Sequence, residues 1–162
     1  MRQGLDEKDM MILKILEKDS RKPWRQIANE LNVSEATVYL RIKRLEENGI
    51  IKCFGIKVDP VKVGLMTTMF VLVKTKADNI VYVRNEIQKL NYVVELHEIT
   101  GPYQFLIKIL APSQRDASKA LEGLARIKGL IEINALMSLN IVKSGENVLD
   151  TLNYWIKKSS QP

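Results

Sequence analysis

The 162-residue chain is 46% apolar and 27% charged, with a formal net charge of +6 and an isoelectric point near 9.4. This is the composition of a soluble globular protein with room for one domain or two small ones. A single cysteine, Cys53, excludes an intrachain disulfide framework and a cysteine metal cluster, and a single histidine, His97, excludes two-histidine metal sites and weakens most acid–base schemes. No apolar run is long enough to span a bilayer, and the opening MRQGLDEKD is too polar for a signal peptide. A cytoplasmic protein without a membrane partner is therefore expected.

The positive excess suits a polyanion but is spread along the chain. Residues 1–60 hold 12 basic and 10 acidic residues, and residues 61–162 hold 13 and 9. The clearer sign is local: between Arg21 and Lys57 there are 8 basic residues against 4 acidic ones.

In chain order, a helix is predicted from Asp6 to Lys18. Asp6 can cap it and Leu5 can fold back on Met10. Met10, Ile12, Leu13 and Leu16, with Ile15 at the margin, face the partner helices. Asp19, Ser20 and Arg21 form a turn, and Pro23 suits a first helical position. In PWRQIANEL, Ile27, Ala28 and Leu31 share one apolar face. Asn32 can take a left-handed conformation and end this second helix. Ser34 is a good N-cap for the third, whose Val38, Ile42 and Leu45 form a narrow buried stripe. Its remaining face carries Glu35, Ala36, Thr37, Tyr39, Leu40, Arg41, Lys43 and Arg44. This is the pattern of a helix-turn-helix whose second helix can enter a DNA major groove. Two amphipathic helices around a tight turn also occur in proteins that never meet nucleic acid, where a basic face is merely solvated.

Residues 1–49 thus form a small three-helix bundle, closed by Gly49. Residues 50–64, IKCFGIKVDPVKVG preceded by one more isoleucine, read as strand and linker with a turn at Asp59-Pro60. Ile51, Cys53, Ile56 and Val58 can pack on the bundle or on a symmetry mate, with Cys53 as a small buried hydrophobe. From residue 65 to 145 the pattern changes. MTTMFVLVKTK is a strand, and Asp78 can cap a helix running to Leu90. VVELHEIT is a strand, Gly101-Pro102-Tyr103 turns the chain, and QFLIKILA is the next strand. Ser113, with Asp116 three residues on, opens a helix with Ala117, Ala120, Leu121, Leu124 and Ile127 inward. After Gly129, IEINALMSLNIVK is the last strand. The order β-α-β-β-α-β is the ferredoxin-like unit, so the fold class is α+β. Helices on one side of a four-stranded sheet leave its other face and its edges to be covered, which favours self-association. The tail, residues 146–162, contains a short helix predicted over Val148–Lys158.

Three segments, LDEKDMMILKILEKDSR, VSEATVYLRIKRLEENGII and ITGPYQFLIKI, in this order and spacing, resemble the Lrp/AsnC (leucine-responsive and asparagine-dependent, feast/famine) family of transcriptional regulators. The resemblance runs from Leu5 to near Lys143. It implies a non-enzymatic DNA-binding regulator without a cofactor, whose ferredoxin-like domains pair into dimers and often octamers. It also implies that small molecules, commonly amino acids, are sensed between subunits. One departure stands out: the family's Gly-x-x-Asp turn reads Gly101-Pro102-Tyr103-Gln104 here. Gln104 is neutral and can only hydrogen-bond a ligand ammonium, so Glu98 is the candidate for the missing charge.

On this reading phosphates are met by Lys22, the Trp24 N–H, Arg25, Gln26, Lys43 and Arg44, which position the protein. Base edges are met by Glu35, Ala36, Thr37, Leu40 and Arg41 beyond the Ser34 cap. Arg41 is expected on guanine, and Ala36 or Thr37 on a thymine methyl. Tyr39 is expected in the core. A two-fold dimer favours a palindromic operator in double-stranded DNA. The effector site is expected around Glu98, Thr100, Gly101, Tyr103 and Gln104, with Leu136, Ser138 and Asn140 of the last strand nearby. His97, just before this turn, is expected to be structural. Two other readings share the two-domain plan. A tetrapyrrole-decarboxylase-like enzyme lacks a clustered acid–base set here, and a stand-alone amino-acid sensor leaves the basic helix face without purpose.

Overall fold

The computed structural model describes residues 4–143, 149, 151 and 152. The chain divides into two units, Met1–Lys57 with Ser144–Pro162, and Val58–Lys143. The first holds α1 (Glu7–Lys18), α2 (Trp24–Leu31) and α3 (Glu35–Glu47). Their ends have local chemical causes. The Asp6 carboxylate accepts from the Asp9 N–H at 2.8 Å, and the Asp9 carboxylate accepts from the Asp6 N–H at 3.1 Å. Two donors that the helix itself leaves unpaired are thereby satisfied. α2 begins one residue after Pro23 and ends on Asn32, at φ 54° in the left-handed region. Ser34 Oγ accepts from the Thr37 N–H at 3.1 Å and starts α3. Gly49, at φ +67°, turns the chain away from α3. Its N–H donates to the Glu46 carbonyl at 2.8 Å and that of Ile50 to the Leu45 carbonyl at 2.9 Å. That paired closure needs a residue tolerant of positive φ.

The bundle core joins Ile12, Leu13 and Leu16 of α1, Ile27 and Ala28 of α2, and Val38, Ile42 and Leu45 of α3 with Leu149 from the far end of the chain. Leu149, Thr151 and Leu152 are helical; the rest of the expected tail helix lies outside the described residues. Residues 50–64 depart from expectation. They form no strand, and Ile56 is 85% exposed, with Phe54 and Val58 also in solvent. Cys53 is exposed rather than buried. A strand needs a neighbour for its N–H and C=O groups, and this stretch pairs with none of the four sheet strands. Ile50 and Ile51 alone of its apolar side chains pack on the bundle.

The second unit holds β1 (Thr67–Thr75), α4 (Ile80–Gln88), β2 (Val93–Glu98), β3 (Phe105–Ala111), α5 (Gln114–Ala125) and β4 (Leu130–Met137). The sheet order is β2-β3-β1-β4, with every neighbouring pair antiparallel. This is the expected ferredoxin-like arrangement and an α+β fold. Strict alternation along β1 and β3 sends Met69, Val71, Val73, Phe105, Ile107 and Ile109 to one face, where Val83, Ile87, Ala117, Ala120 and Leu124 cover them. The partner positions Phe70, Leu72, Leu106 and Leu110 are half-buried, and Leu136 is exposed.

Ser113 caps α5 as expected, accepting from the Asp116 N–H at 3.2 Å. Asp78 does not cap α4. It sits inside a 3-10 turn, Ala77–Asn79, that leads into the helix without a side-chain cap. β4 stops at Met137, short of the expected end. The Ser138 N–H still reaches the Thr68 carbonyl at 2.9 Å, but β1 begins at Thr67 and offers nothing further to pair.

Candidate nucleic-acid interface and effector turn

The outward face of α3 presents Glu35, Ala36, Tyr39, Leu40 and Lys43, with Leu40 63% exposed. Arg25 and Gln26, on the first turn of α2, are exposed as well. The Trp24 and Tyr39 rings lie 5.3 Å apart at a tilt of 44° and pin the start of α2 to the middle of α3. Tyr39 is therefore a half-exposed partner of Trp24 and not the expected core residue. Thr37 is half-buried, and its hydroxyl lies 2.8 Å from that of Ser34, so much of its polar capacity is spent on the cap. Lys22, just ahead of α2, pairs with Glu30 near its end. Lys43 stands 3.9 Å from Glu47 and is exposed.

The arginines of α3 correct the sequence reading most. Arg41 Nη1 donates to Asp6 Oδ2 at 2.6 Å and to Asp9 Oδ1 at 2.7 Å, and Arg44 Nη2 donates to Asp9 Oδ2 at 2.5 Å. Asp9 is fully buried. Arg41, expected to read guanine, instead ties α3 to the first turn of α1. Asp6 and then Asp9 hold its guanidinium still more firmly protonated than usual. The Asp9 backbone, and next Arg41, hold the Asp6 carboxyl below the usual aspartate range. The two carboxylates offset the two guanidiniums, so of the three cations on α3 only Lys43 stands outside this cluster. The basic stripe legible in the sequence is in large part internal.

Asp9 was missed by the sequence reading, although a signal existed. It precedes Ile12, Leu13 and Leu16 by three, four and seven residues, so it lies on the buried stripe of α1. A carboxylate on that stripe calls for a cationic partner, because burial of an unpaired charge is expensive.

In the second unit, Gly101 takes φ +117° in the turn between β2 and β3. Around it the structure gathers Glu98, Thr100, Tyr103 and Gln104, but with occupied partners. Glu98 accepts from Arg84 Nη1 at 2.8 Å, so its charge is not unopposed. Tyr103 Oη donates to Glu132 Oε1 at 2.8 Å, and Lys74 Nζ lies 3.7 Å from Glu132 Oε2. The β1–β3 ladder ends at Val73–Phe105. Gln104 then extends it. Its N–H donates to the Val73 carbonyl, and its Oε1 accepts from the Thr75 N–H, both at 2.9 Å. Within one protomer, Leu136, Ser138 and Asn140 are not near this turn. Met137 pairs with Met69 at the opposite end of β1 from Thr75, about 20 Å away at the usual rise per residue. His97, on the sheet face, is exposed and lies 3.6 Å from Glu95 Oε2. Lys108, 2.7 Å from Glu95, is the main cause holding that carboxyl below its usual range. No cluster among the described residues could hold a metal ion.

A capped three-helix unit with an exposed helix after its turn, followed by a ferredoxin-like unit, defines a two-domain regulator with a nucleic-acid-reading head. Residues 5–52 match a winged helix-turn-helix DNA-binding family, and residues 68–148 match the Lrp/AsnC ligand binding domain. The chain is 33% identical over 143 residues to the HTH-type transcriptional regulator FL11 of Pyrococcus abyssi, covering 88% of this chain and 95% of that protein. It is 31% identical to the HTH-type transcriptional regulator LrpA of Pyrococcus horikoshii, covering 86% and 99%. Among solved structures, E. coli AsnC superposes with a TM-score of 0.84 at 23% identity, covering 87% of this chain and 96% of that one. A Neisseria meningitidis transcriptional regulator in complex with L-Met superposes with 0.82 at 21% identity, covering 88% and 94%. The chain belongs to the Lrp/AsnC family of transcriptional regulators. It is a DNA-binding regulator with a ligand-binding C-terminal domain and not an enzyme.

Proposed function

We propose that the exposed face of α3 reads a palindromic operator in double-stranded DNA as part of a two-fold dimer. The observation that carries this is the contiguous outward surface of Glu35, Ala36, Leu40 and Lys43, rigidly started by the Ser34 cap. Leu40 and Ala36 supply apolar contact to thymine methyls, and Glu35 can accept from cytosine N4. Arg25, Gln26, Lys43 and the Trp24 N–H meet phosphates, with Lys22 weakened in that role by Glu30. Selection of bound sequences from a random DNA pool at stated salt tests this; a pool without a two-fold motif would overturn it.

The second unit senses a small molecule, an amino acid or one like it. Support comes from the Tyr103–Glu132–Lys74 group beside Gly101, where a carboxylate and an ammonium stand within reach of each other. An amino acid carries both complementary charges. The half-buried Phe70, Leu72, Leu106 and Leu110, with Leu136, give the sheet an apolar face for a second copy, and dimers can assemble further into octamers. Ligand binding regulates only through differential affinity for the assembled states. Calorimetry with the twenty amino acids tests the ligand class, and sedimentation tests the assembly. A DNA-binding regulator does its work in the cytoplasm, and no described helix is long and apolar enough to cross a membrane.

A further inference from the structure

We propose that Asp9 sets the protein's sequence-independent affinity for DNA: it withholds Arg44 from the DNA phosphate backbone. The inference deepens the reading of α3 as the interface and rests on it. Arg44 lies one residue beyond Lys43 on the same helix and its side chain is 49% exposed, so solvent and a phosphate have access to it. Yet its Nη2 is 2.5 Å from Asp9 Oδ2, and Asp9 is fully buried. A carboxylate in that position cannot rotate into water to release its partner. It is fixed by the Asp6 N–H at 3.1 Å and by Arg41 Nη1 at 2.7 Å. For Arg44 to reach a phosphate, Asp9 would lose one of its two cations inside the bundle, which is costly for a buried charge.

Phosphate contacts strengthen all sequences alike, whereas base contacts strengthen only the operator. A helix with three exposed cations would therefore raise binding to operator and non-operator DNA alike and add nothing to discrimination. Pairing Arg41 and Arg44 with Asp6 and Asp9 leaves Lys43 as the phosphate-facing cation of α3 and keeps the sequence-independent part of binding low. The acidic residues at the start of α1 thus limit the salt-dependent part of binding without touching DNA. Asp9 is a positioning residue acting through Arg44.

The test is the salt dependence of binding to non-operator DNA by the full-length protein. Each phosphate neutralised adds about 0.9 to the slope of log K against log salt. In Asp9→Asn the amide can still accept from the Asp6 N–H but carries no charge to hold Arg44. Its slope should steepen by about 0.9, which is roughly a further threefold loss of affinity between 50 and 200 mM salt. Adding Arg44→Gln to Asp9→Asn should return the slope to the wild-type value. Should Asp9→Asn fail to fold, Arg44→Gln in the wild-type background decides the matter alone. An unchanged slope supports the proposal, and a slope shallower by about 0.9 overturns it. An Asp9→Asn protein that folds with an unchanged slope overturns it too. Lys43→Ala separates the two layers. A slope that does not fall in that variant removes α3 as the interface, and the proposal with it.

Discussion

Gln104 stands where the family turn usually carries aspartate, and its geometry yields a quantitative prediction. Its Oε1 is the acceptor for the Thr75 N–H at 2.9 Å, one rung past the last β1–β3 pair. Thr75 is 5% exposed, so water cannot readily replace that acceptor. Gln104→Leu keeps roughly the bulk of the side chain, one bond shorter, and removes the acceptor. A buried N–H left unpaired costs about 1–3 kcal/mol. With a urea m-value of about 1–2 kcal/mol/M, the unfolding midpoint should fall by roughly 1 M. Gln104→Glu retains an acceptor of the same reach and should stay within about 0.5 kcal/mol of wild type, because hydrogen bonds to charged groups are at least as strong as neutral ones. Urea titrations followed by circular dichroism at one fixed protein concentration measure both. If Gln104→Leu unfolds at the wild-type midpoint, or Gln104→Glu loses as much as Gln104→Leu, the acceptor argument is wrong.

Three other outcomes follow from the same structure. Lys43→Ala should weaken binding to operator and random DNA alike and reduce the salt slope by about 0.9, with the selected consensus unchanged, as gel shifts across a salt series would register. The Asp6 carboxyl titrates below its usual range when folded, so the stability it adds is complete above about pH 5 and is lost as pH falls through the depressed value. Asp6→Asn should therefore show a flatter loss of stability than wild type on acidification from pH 5 to pH 3, measured by denaturation at each pH. Leu149→Ala should destabilise the helical bundle by about 2–3 kcal/mol, since Leu149 is 92% removed from solvent among its core residues, and thermal unfolding would report it.

Most of the architecture was legible in the residues because it is written in short-range chemistry. Asp6, Ser34 and Ser113 each cap through a neighbour three residues away, and Asn32 and Gly49 supply positive φ within a single residue. Alternation along β1 and β3 is likewise a local signal. What failed was long-range. Arg41 looked available because its partners, Asp6 and Asp9, lie 35 and 32 residues earlier and nothing in α3 announces them. Tyr39 was expected in the core although it lies off the Val38–Ile42–Leu45 stripe, and its partner Trp24, fifteen residues earlier, meets it at the surface. Residues 50–64 have strand-like composition, but composition supplies no hydrogen-bonding partner. Ser138 and Asn140 looked close to the effector turn because an antiparallel register cannot be counted before the strands are paired.

The place of Leu149 also bears on how this protein can be taken apart or recombined. The reading head is not a contiguous stretch of sequence, since one of its interior side chains arrives only after the whole sheet unit has been traversed. A fragment cut after Lys57, or a chimera that grafts only the first 57 residues onto another sensor, would leave an oily gap beside Leu13 and Leu16. During synthesis, likewise, the bundle cannot complete its interior until the segment carrying Leu149 has emerged.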